Sequence, residues 1–249
     1  MYFALPHKEY LRAKGEDNSH APRLSLYQAF KNETTWSDPE LLPFSGKYQN
    51  YEPEVTGDGN ILFFNSNQPL EGNAPLEKNN IWFSERKDGV WTDAKSLPKL
   101  NTDNLEESYT TISDDGTMIY AAEQVVDGRS EYSLYQTKFE GTNTLPGVKL
   151  EILNESAGAG DPCLSKDGSF LIFTRFDQRS WQSTCDLYIS FWVDDQWSKP
   201  MPLDELNSVG PDYAAALSPD MEWIYYRKNY SFIKQPFRDI LSRYQALSN

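Results

Sequence analysis

Two cysteines and two histidines are all that the 249 residues hold of the side chains that most often ligate transition metals or relay protons. Cys163 and Cys185 are too few for a disulfide framework. His7 and His20 both stand in the N-terminal stretch, away from any repeated position, so neither a Ser-His-Asp relay nor a His-rich zinc site is expected. There is no G-x-S-x-G, no phosphate loop and no C-x-x-C. Long apolar runs are missing too: none approaches the ~20 residues that span a bilayer, so no transmembrane segment is expected. The opening MYFALPHKEYLRAKGEDNSH has no basic leader followed by an apolar core, and no signal peptide is visible. Basic residues number 23 against 37 acidic ones, a net charge of −14. Nucleic acid and anionic membrane surfaces are thereby excluded as partners, since both need a basic face. A protein or a carbohydrate-like ligand is left.

What the chain has in quantity is aromatic residues, 14%, together with 14 Gly and 15 Pro. That mixture favours many short strands joined by tight turns. One such hairpin is written four times: VTGDGNILFF, ISDDGTMIYAA, LSKDGSFLIF and LSPDMEWIYY. Their turn aspartates, Asp58, Asp115, Asp167 and Asp220, are 57, 52 and 53 residues apart. A period of this length is the mark of stacked supersecondary units. The fourth turn has Met221 where the others have Gly, and is expected to be wider or strained.

A second strand follows each turn, centred on an aliphatic residue and its neighbour: Ile81-Trp82, Leu134-Tyr135, Leu187-Tyr188 and Ile240-Leu241, with Leu26-Tyr27 preceding the first turn. Ten residues on stands Trp36, Trp91 or Trp197, replaced by Thr144 in the third copy, and then a short apolar segment. Each unit is therefore a four-stranded antiparallel sheet, strands a to d, with two apolar faces that only neighbouring copies can bury. The expected fold is an all-β, five-bladed β-propeller in one domain, 1–249. Its blades run at about 1–50, 51–106, 107–159, 160–210 and 211–249. The first lacks strand a, since Met1-Tyr2-Phe3 reads as the tail of a strand b before a polar insertion to Arg23. The last lacks strand d, with 235–247 read as strand c and a frayed tail. On this reading the chain looks clipped or its start is placed late, with any export signal upstream; the alternative is that residues 1–10 form an irregular substitute for the missing strand.

The pattern of a Pro, then Ser-Pro-Asp-Gly, then an aliphatic-aromatic strand resembles the TolB-like, WD-like β-propeller repeat family of bacterial proteins. It stands here as EPEVTGDGNILFF, DPCLSKDGSFLIF and LSPDMEWIYY, joined to DLYISF…WSKP and to LNT or LNS at 100–102 and 206–208. The resemblance covers nearly the whole chain. It implies the propeller fold and a periplasmic or extracellular setting, but it does not select a function, because propellers host enzymes and docking platforms alike.

The chemistry-bearing signal is acidic. Glu52 and Asp161 stand six residues before their turn aspartates, Glu107 and Asp212 eight before theirs. Equal parity places all four on one face of strand a, at a mouth of the central channel. The ordinary reading is that they are solvated or bond the backbone of a neighbouring blade. A divalent cation or polyol site, with no other cofactor, is one alternative. Paired-carboxylate glycoside chemistry is the other, with the same four acids catalytic. Arg175 and Arg227, where strands b end, are candidate ligands for an anionic group. Tyr51, Tyr109 and Tyr213 are candidate stacking surfaces. The b–c connections 69–80, 125–132 and 177–184 are expected to project as loops from one face, with Trp181 as an exposed anchor. The favoured function is a non-enzymatic binding or scaffold module; the alternative is a carbohydrate-binding or glycoside-active propeller using the rim acids.

Strand b separates the strands carrying Cys163 and Cys185, which puts their backbones roughly 10 Å apart, beyond disulfide reach. Both are expected as free thiols, with Cys163 buried. Thiol titration in denaturant is expected to count two; a count of zero would mean that the two strands are not spaced in this way.

Overall fold

The computed structural model describes residues 1–69, 74–102, 104–155, 157–177 and 185–248. Among the described residues twenty strands form five antiparallel sheets, and the fold class is the all-β, five-bladed propeller expected from the repeat. The chain divides into two compact units, Met1–Ser108 with Gly141–Asn143, and Tyr109–Glu140 with Thr144–Asn249.

The first unit holds two blades. In the first, β1 (Tyr2–Pro6) pairs with β2 (Leu24–Gln28), and β2 with the short β3 (Glu40–Leu41). These are strands b, c and d, as the sequence suggests. The insertion between b and c is not wholly irregular: α1 (His7–Lys14) lies in it and ends at Gly15, whose φ of 73° only glycine adopts freely. His7 is thereby buried, its Nδ1 2.5 Å from the Tyr27 hydroxyl, and Tyr10 packs on the same ring. The second blade runs β4 (Asn50–Val55), β5 (Ile61–Ser66), β6 (Asn80–Lys87), then β7 (Val90–Trp91) and β8 (Lys95–Ser96), both paired with β6. Tyr2 meets Trp91 edge-on at 5.6 Å, in a core with Leu26, Leu42, Leu62 and Phe64.

The third sheet is β9 (Glu106–Ile112), β10 (Thr117–Val126), β11 (Arg129–Lys138) and β12 (Val148–Lys149), followed by α2 (Glu151–Asn154). Its b–c connection is not a loop. The two long strands pair out to Val126–Arg129, and Asp127 and Gly128 turn with φ of 49° and 75°, the positive values that a two-residue hairpin demands. The fourth blade is β13 (Gly158–Leu164), β14 (Phe170–Phe176), β15 (Cys185–Val193), β16 (Gln196–Trp197) and β17 (Met201–Pro202). Trp197 is buried in the core shared with the third blade, donating from Nε1 to Gln136. Trp36, in contrast, is half exposed.

The fifth blade corrects the expectation. Its strands are β18 (Asp212–Leu217), β19 (Trp223–Lys228) and β20 (Ser231–Pro236), and Ile240-Leu241 lie instead in a helix, α3 (Arg238–Ser248). The cause is the turn: Asn229 and Tyr230 both take positive φ, so β20 begins three residues after β19 ends and uses up the strand-c register early. Past Pro236, Ile240, Leu241 and Tyr244 share one helical face, which buries against Leu203, Leu206 and Phe170. Among the described residues no fourth strand pairs with β20.

Two side-chain devices recur at fixed offsets. In each of the four turns a Ser or Thr two residues ahead donates to the aspartate Oδ1 at 2.5–2.7 Å, and the backbone N–H two residues beyond donates to the same oxygen at 3.0 Å. Met221 keeps this geometry with φ of 56°, so the fourth turn is strained but no wider.

The second device is the sequence Leu-x-x-Leu-Asn at 97–101, 150–154 and 203–207. The Asn reaches back twenty residues to the leading aliphatic residue of strand c. Its Oδ1 accepts from the N–H of Ile81, Leu134 or Leu187 at 3.1, 2.8 and 2.8 Å, and its Nδ2 donates to the same residue's carbonyl at 2.9, 3.0 and 3.0 Å. A carboxamide thus completes the ladder where strand d has turned away. The first blade uses the Ser45 hydroxyl for Leu26 instead.

Replacing Asn207 by Ala leaves two fully buried backbone groups of Leu187 unpaired. Urea unfolding is expected to show a loss of about 2–4 kcal/mol, against little change for an exposed polar substitution such as Ser242→Ala.

Candidate functional site

Strand a does not keep the alternation that parity assumes. Glu52, Tyr109, Asp161 and Ala214, each six residues before its turn aspartate, all take left-handed backbone with φ of 46–55°. Register breaks at this point between Tyr51 and Glu54, Gly160 and Cys163, and Tyr213 and Ala216. These three strands a therefore carry a bulge that re-aims their side chains, and β9 shares its left-handed residue; acids at offsets of six and eight part company.

The acids at offset eight turn back into the fold. Glu107 is fully buried, its Oε1 accepting from the N–H and hydroxyl of Thr102 at 2.9 and 2.8 Å. Asp212, equally buried, accepts from the N–H and hydroxyl of Ser208. Both tie the residue after a Leu-x-x-Leu-Asn turn to the start of the next strand a. Asn50 makes the equivalent bond to Ser45 at 3.0 Å. Burial raises the pKa of Glu107 above the usual carboxylate range, against the lowering effect of the Thr102 bonds.

The acids at offset six bond across to strand b. Glu52 Oε2 accepts from Asn65 Nδ2 at 2.8 Å, and Asp161 Oδ2 from the Thr174 hydroxyl at 3.0 Å. In the first unit, Glu52 shares its neighbourhood with Tyr51, whose pKa is driven up by burial and then by the charges of Glu52 and Glu106. Glu106 itself accepts from the N–H and side chain of Asn79 at 3.2 and 2.7 Å. In the second unit, burial pushes the pKa of Asp161 up. The Cys185 thiol is pushed up to about 11 by burial, then by Asp161, Asp186 and Asp212. Both cysteines are free thiols, as expected, but Cys163, which follows the bulge, is half-buried and not buried; Cys185 is buried. Among the described residues no group of three or more His, Cys, Asp or Glu is arranged to hold a metal ion.

The remaining candidates are dispersed. Arg175 bonds the Glu155 carbonyl and stacks 5.3 Å from the Tyr188 ring. Arg227 donates to the Tyr230 carbonyl at 2.7 Å, and its own strand is paired through Tyr213. Tyr109 is partly exposed and Tyr213 half-buried. Trp181 lies outside the described residues, as do most of 177–184 and residues 70–73.

Of two further surfaces, the first falls in the 125–132 connection expected to project, as a hairpin in place of a loop, and the second escaped sequence reasoning. The β10–β11 hairpin ends in exposed Val125 and Val126, and Tyr132 braces it edge-on against Phe176 at 5.7 Å. A groove of about 670 Å³ runs beside exposed Trp192, which sits 5.2 Å from Trp197, with Gln136, Lys138, Val148 and Glu151 along it. Nothing but an aromatic residue after strand c signalled it, and none of the rim acids lines it.

No family model matches the chain, and no curated relative does. Similar solved structures include a protein assigned as TolB from Agrobacterium tumefaciens, with 14% identity and a TM-score of 0.54 over 91% of this chain and 69% of that one. A puromycin-hydrolysing peptidase from Mycobacterium tuberculosis aligns at 11% identity and a TM-score of 0.51, over 90% of this chain and 33% of its own. A microbial sialidase, Hz136, aligns at 11% and 0.50 over 82%, this chain spanning 46% of its length. These likenesses are of fold. Among the described residues no helix is long and apolar enough to cross a membrane.

Because the folded-state pKa of Glu107 lies above its ordinary 4.5, the folded state binds the extra proton in the window between the two values. Stability therefore rises as pH falls through that window. The turn aspartates behave oppositely. Asp58, held down first by the Thr56 hydroxyl, and Asp115, held down first by Lys138, add stability that is present above about pH 4 and lost below it. Urea midpoints are expected to climb on mild acidification and fall in stronger acid. Glu107→Gln should shrink the climb while leaving the acid limb intact.

Proposed function

We propose that the chain is a non-enzymatic binding module of propeller type, which docks a protein partner on the face carrying its b–c connections. One observation carries this reading. All four acids that make a glycosidase conceivable are engaged in hydrogen bonds that hold the fold: Glu107 to Thr102, Asp212 to Ser208, Asp161 to Thr174 and Glu52 to Asn65. Two of them are closed off from solvent altogether, whereas a general acid and its partner must both reach the glycosidic bond.

The exposed apolar side chains lie elsewhere. Val125, Val126 and Tyr230 occupy the two described b–c turns of the second unit, raised on paired hairpins and exposed. Such tips are suited to contact, since a β-scaffold presents them without an ordering cost. The net charge of −14 favours a partner with a basic or neutral face. The TolB-like pattern in the sequence supports a bacterial protein working in the periplasm or outside the cell.

The test is a pair of measurements on the whole chain. Chromogenic glycosides should show no turnover, and Glu52→Gln and Asp161→Asn should change nothing in that assay. In a thermal-shift panel of basic peptides, oligosaccharides and divalent cations, stabilisation should come from peptides and be lost in Val125→Asp. Turnover abolished by either amide variant would overturn the reading.

A further inference from the structure

In the second, third and fourth blades the outer edge of strand c is closed in one way. A two-residue strand pairs with it: Ser96 opposite Trp82, Lys149 opposite Tyr135, Pro202 opposite Tyr188. The Leu-x-x-Leu-Asn turn follows immediately, and its Asn clamps Ile81, Leu134 or Leu187. Those three aliphatic residues are fully buried, and Leu203 and Leu206 share a core with Leu187.

The equivalent residue of the fifth blade is fixed by the b–c register. The N–H five positions past each clamped residue donates near the turn: Arg86 to Asn60, Phe139 to Gly116, Trp192 to Ser169, and, in the fifth blade, Phe237 to Glu222. Five residues before Phe237 stands Phe232, paired with Arg227 just as Leu187 is paired with Thr174. Phe232 is 71% exposed. Among the described residues no Asn clamps its backbone, and β20 is the edge of its sheet. On the same face, Trp223 is partly exposed and Lys234 lies over it and Tyr225, 4.1 and 5.6 Å from the ring centroids. The corresponding face of the fourth blade, Phe170, Ile172, Leu187 and Ile189, is wholly buried.

We infer that the free edge of β20 is a peptide-docking site for an extended segment of the form x-x-Leu-x-x-Leu-Asn supplied by a protein partner. The segment adds as the fourth strand, its Asn pairs with the N–H and C=O of Phe232, and its leucines cover Phe232 and Trp223. Lys234 favours acidic residues between the leucines, as in Leu203-Asp204-Glu205-Leu206. This goes beyond the binding reading above: the edge is a second contact surface beside the b–c turns, with an occupant of its own chemistry. The occupant follows from the three internal copies of the same socket, each filled by this pattern.

The probe is a labelled synthetic peptide copying residues 197–208, WSKPMPLDELNS, titrated into the full chain by fluorescence anisotropy. Saturable binding is expected, weakened at least tenfold when the peptide's Asn is replaced by Ala. It should weaken at least fivefold in Phe232→Ala, whose exposed side chain the fold does not need; an unchanged melting curve for that variant verifies this. No saturable binding, or binding indifferent to both changes, overturns the site. So does concentration-dependent self-association in sedimentation that Phe232→Ala abolishes, since a second copy would then be the occupant. These outcomes leave the binding function standing if the thermal-shift panel gives a peptide hit, whereas glycoside turnover would sink that function without touching the edge.

Discussion

A carboxamide that imitates a peptide group is the interaction on which the second, third and fourth blades depend. Each sheet must end somewhere, and a strand edge with bare N–H and C=O groups is both costly when buried and adhesive when exposed. The Asn of Leu-x-x-Leu-Asn satisfies one N–H and one C=O of strand c at the position where the short fourth strand departs. It frees the chain to turn and begin the next blade. The two leucines of the motif are carried into the core by the same turn, so backbone satisfaction and apolar burial are obtained from five consecutive residues.

The acids take their meaning from this junction. Glu107 and Asp212 follow the clamp by a few residues and bond the Thr or Ser beside it. A carboxylate buried there is a fastening between one blade's exit and the next blade's entry, at the cost of desolvation that shows in the raised pKa of Glu107. Where the repeat has Asn50 instead, the same bond is made without charge. The acids at the bulge do a different task, bridging strands a and b of one blade.

The architecture was legible in the sequence because its punctuation is periodic. Asp58, Asp115, Asp167 and Asp220 mark turns whose hydrogen bonds are the same in all four cases, Met221 included. Counting failed where loop length changes. The b–c connection shrinks to two residues in the fifth blade, so Ile240-Leu241 matched the period by coincidence, and Phe232-Ile233 held the strand position. The bulge was illegible for another reason: of the four left-handed residues, Glu52, Tyr109 and Ala214 do not announce positive φ, and only Asp161 is of a type that favours it. The clamp was visible only in part, as LNT and LNS. The copy in the third blade ends in the short helix Glu151–Asn154 and lacks the following hydroxyl residue.

The reach of the clamp bears on how such a chain changes over generations. Every hydrogen bond it makes lies within twenty residues of its own Asn. A stretch of genetic material running from one Leu-x-x-Leu-Asn to the next encodes a module with its ladder already closed. Unequal recombination over that interval gains or sheds a whole module and leaves no carbonyl stranded, so the number of modules is free to drift while the register inside each is inherited intact.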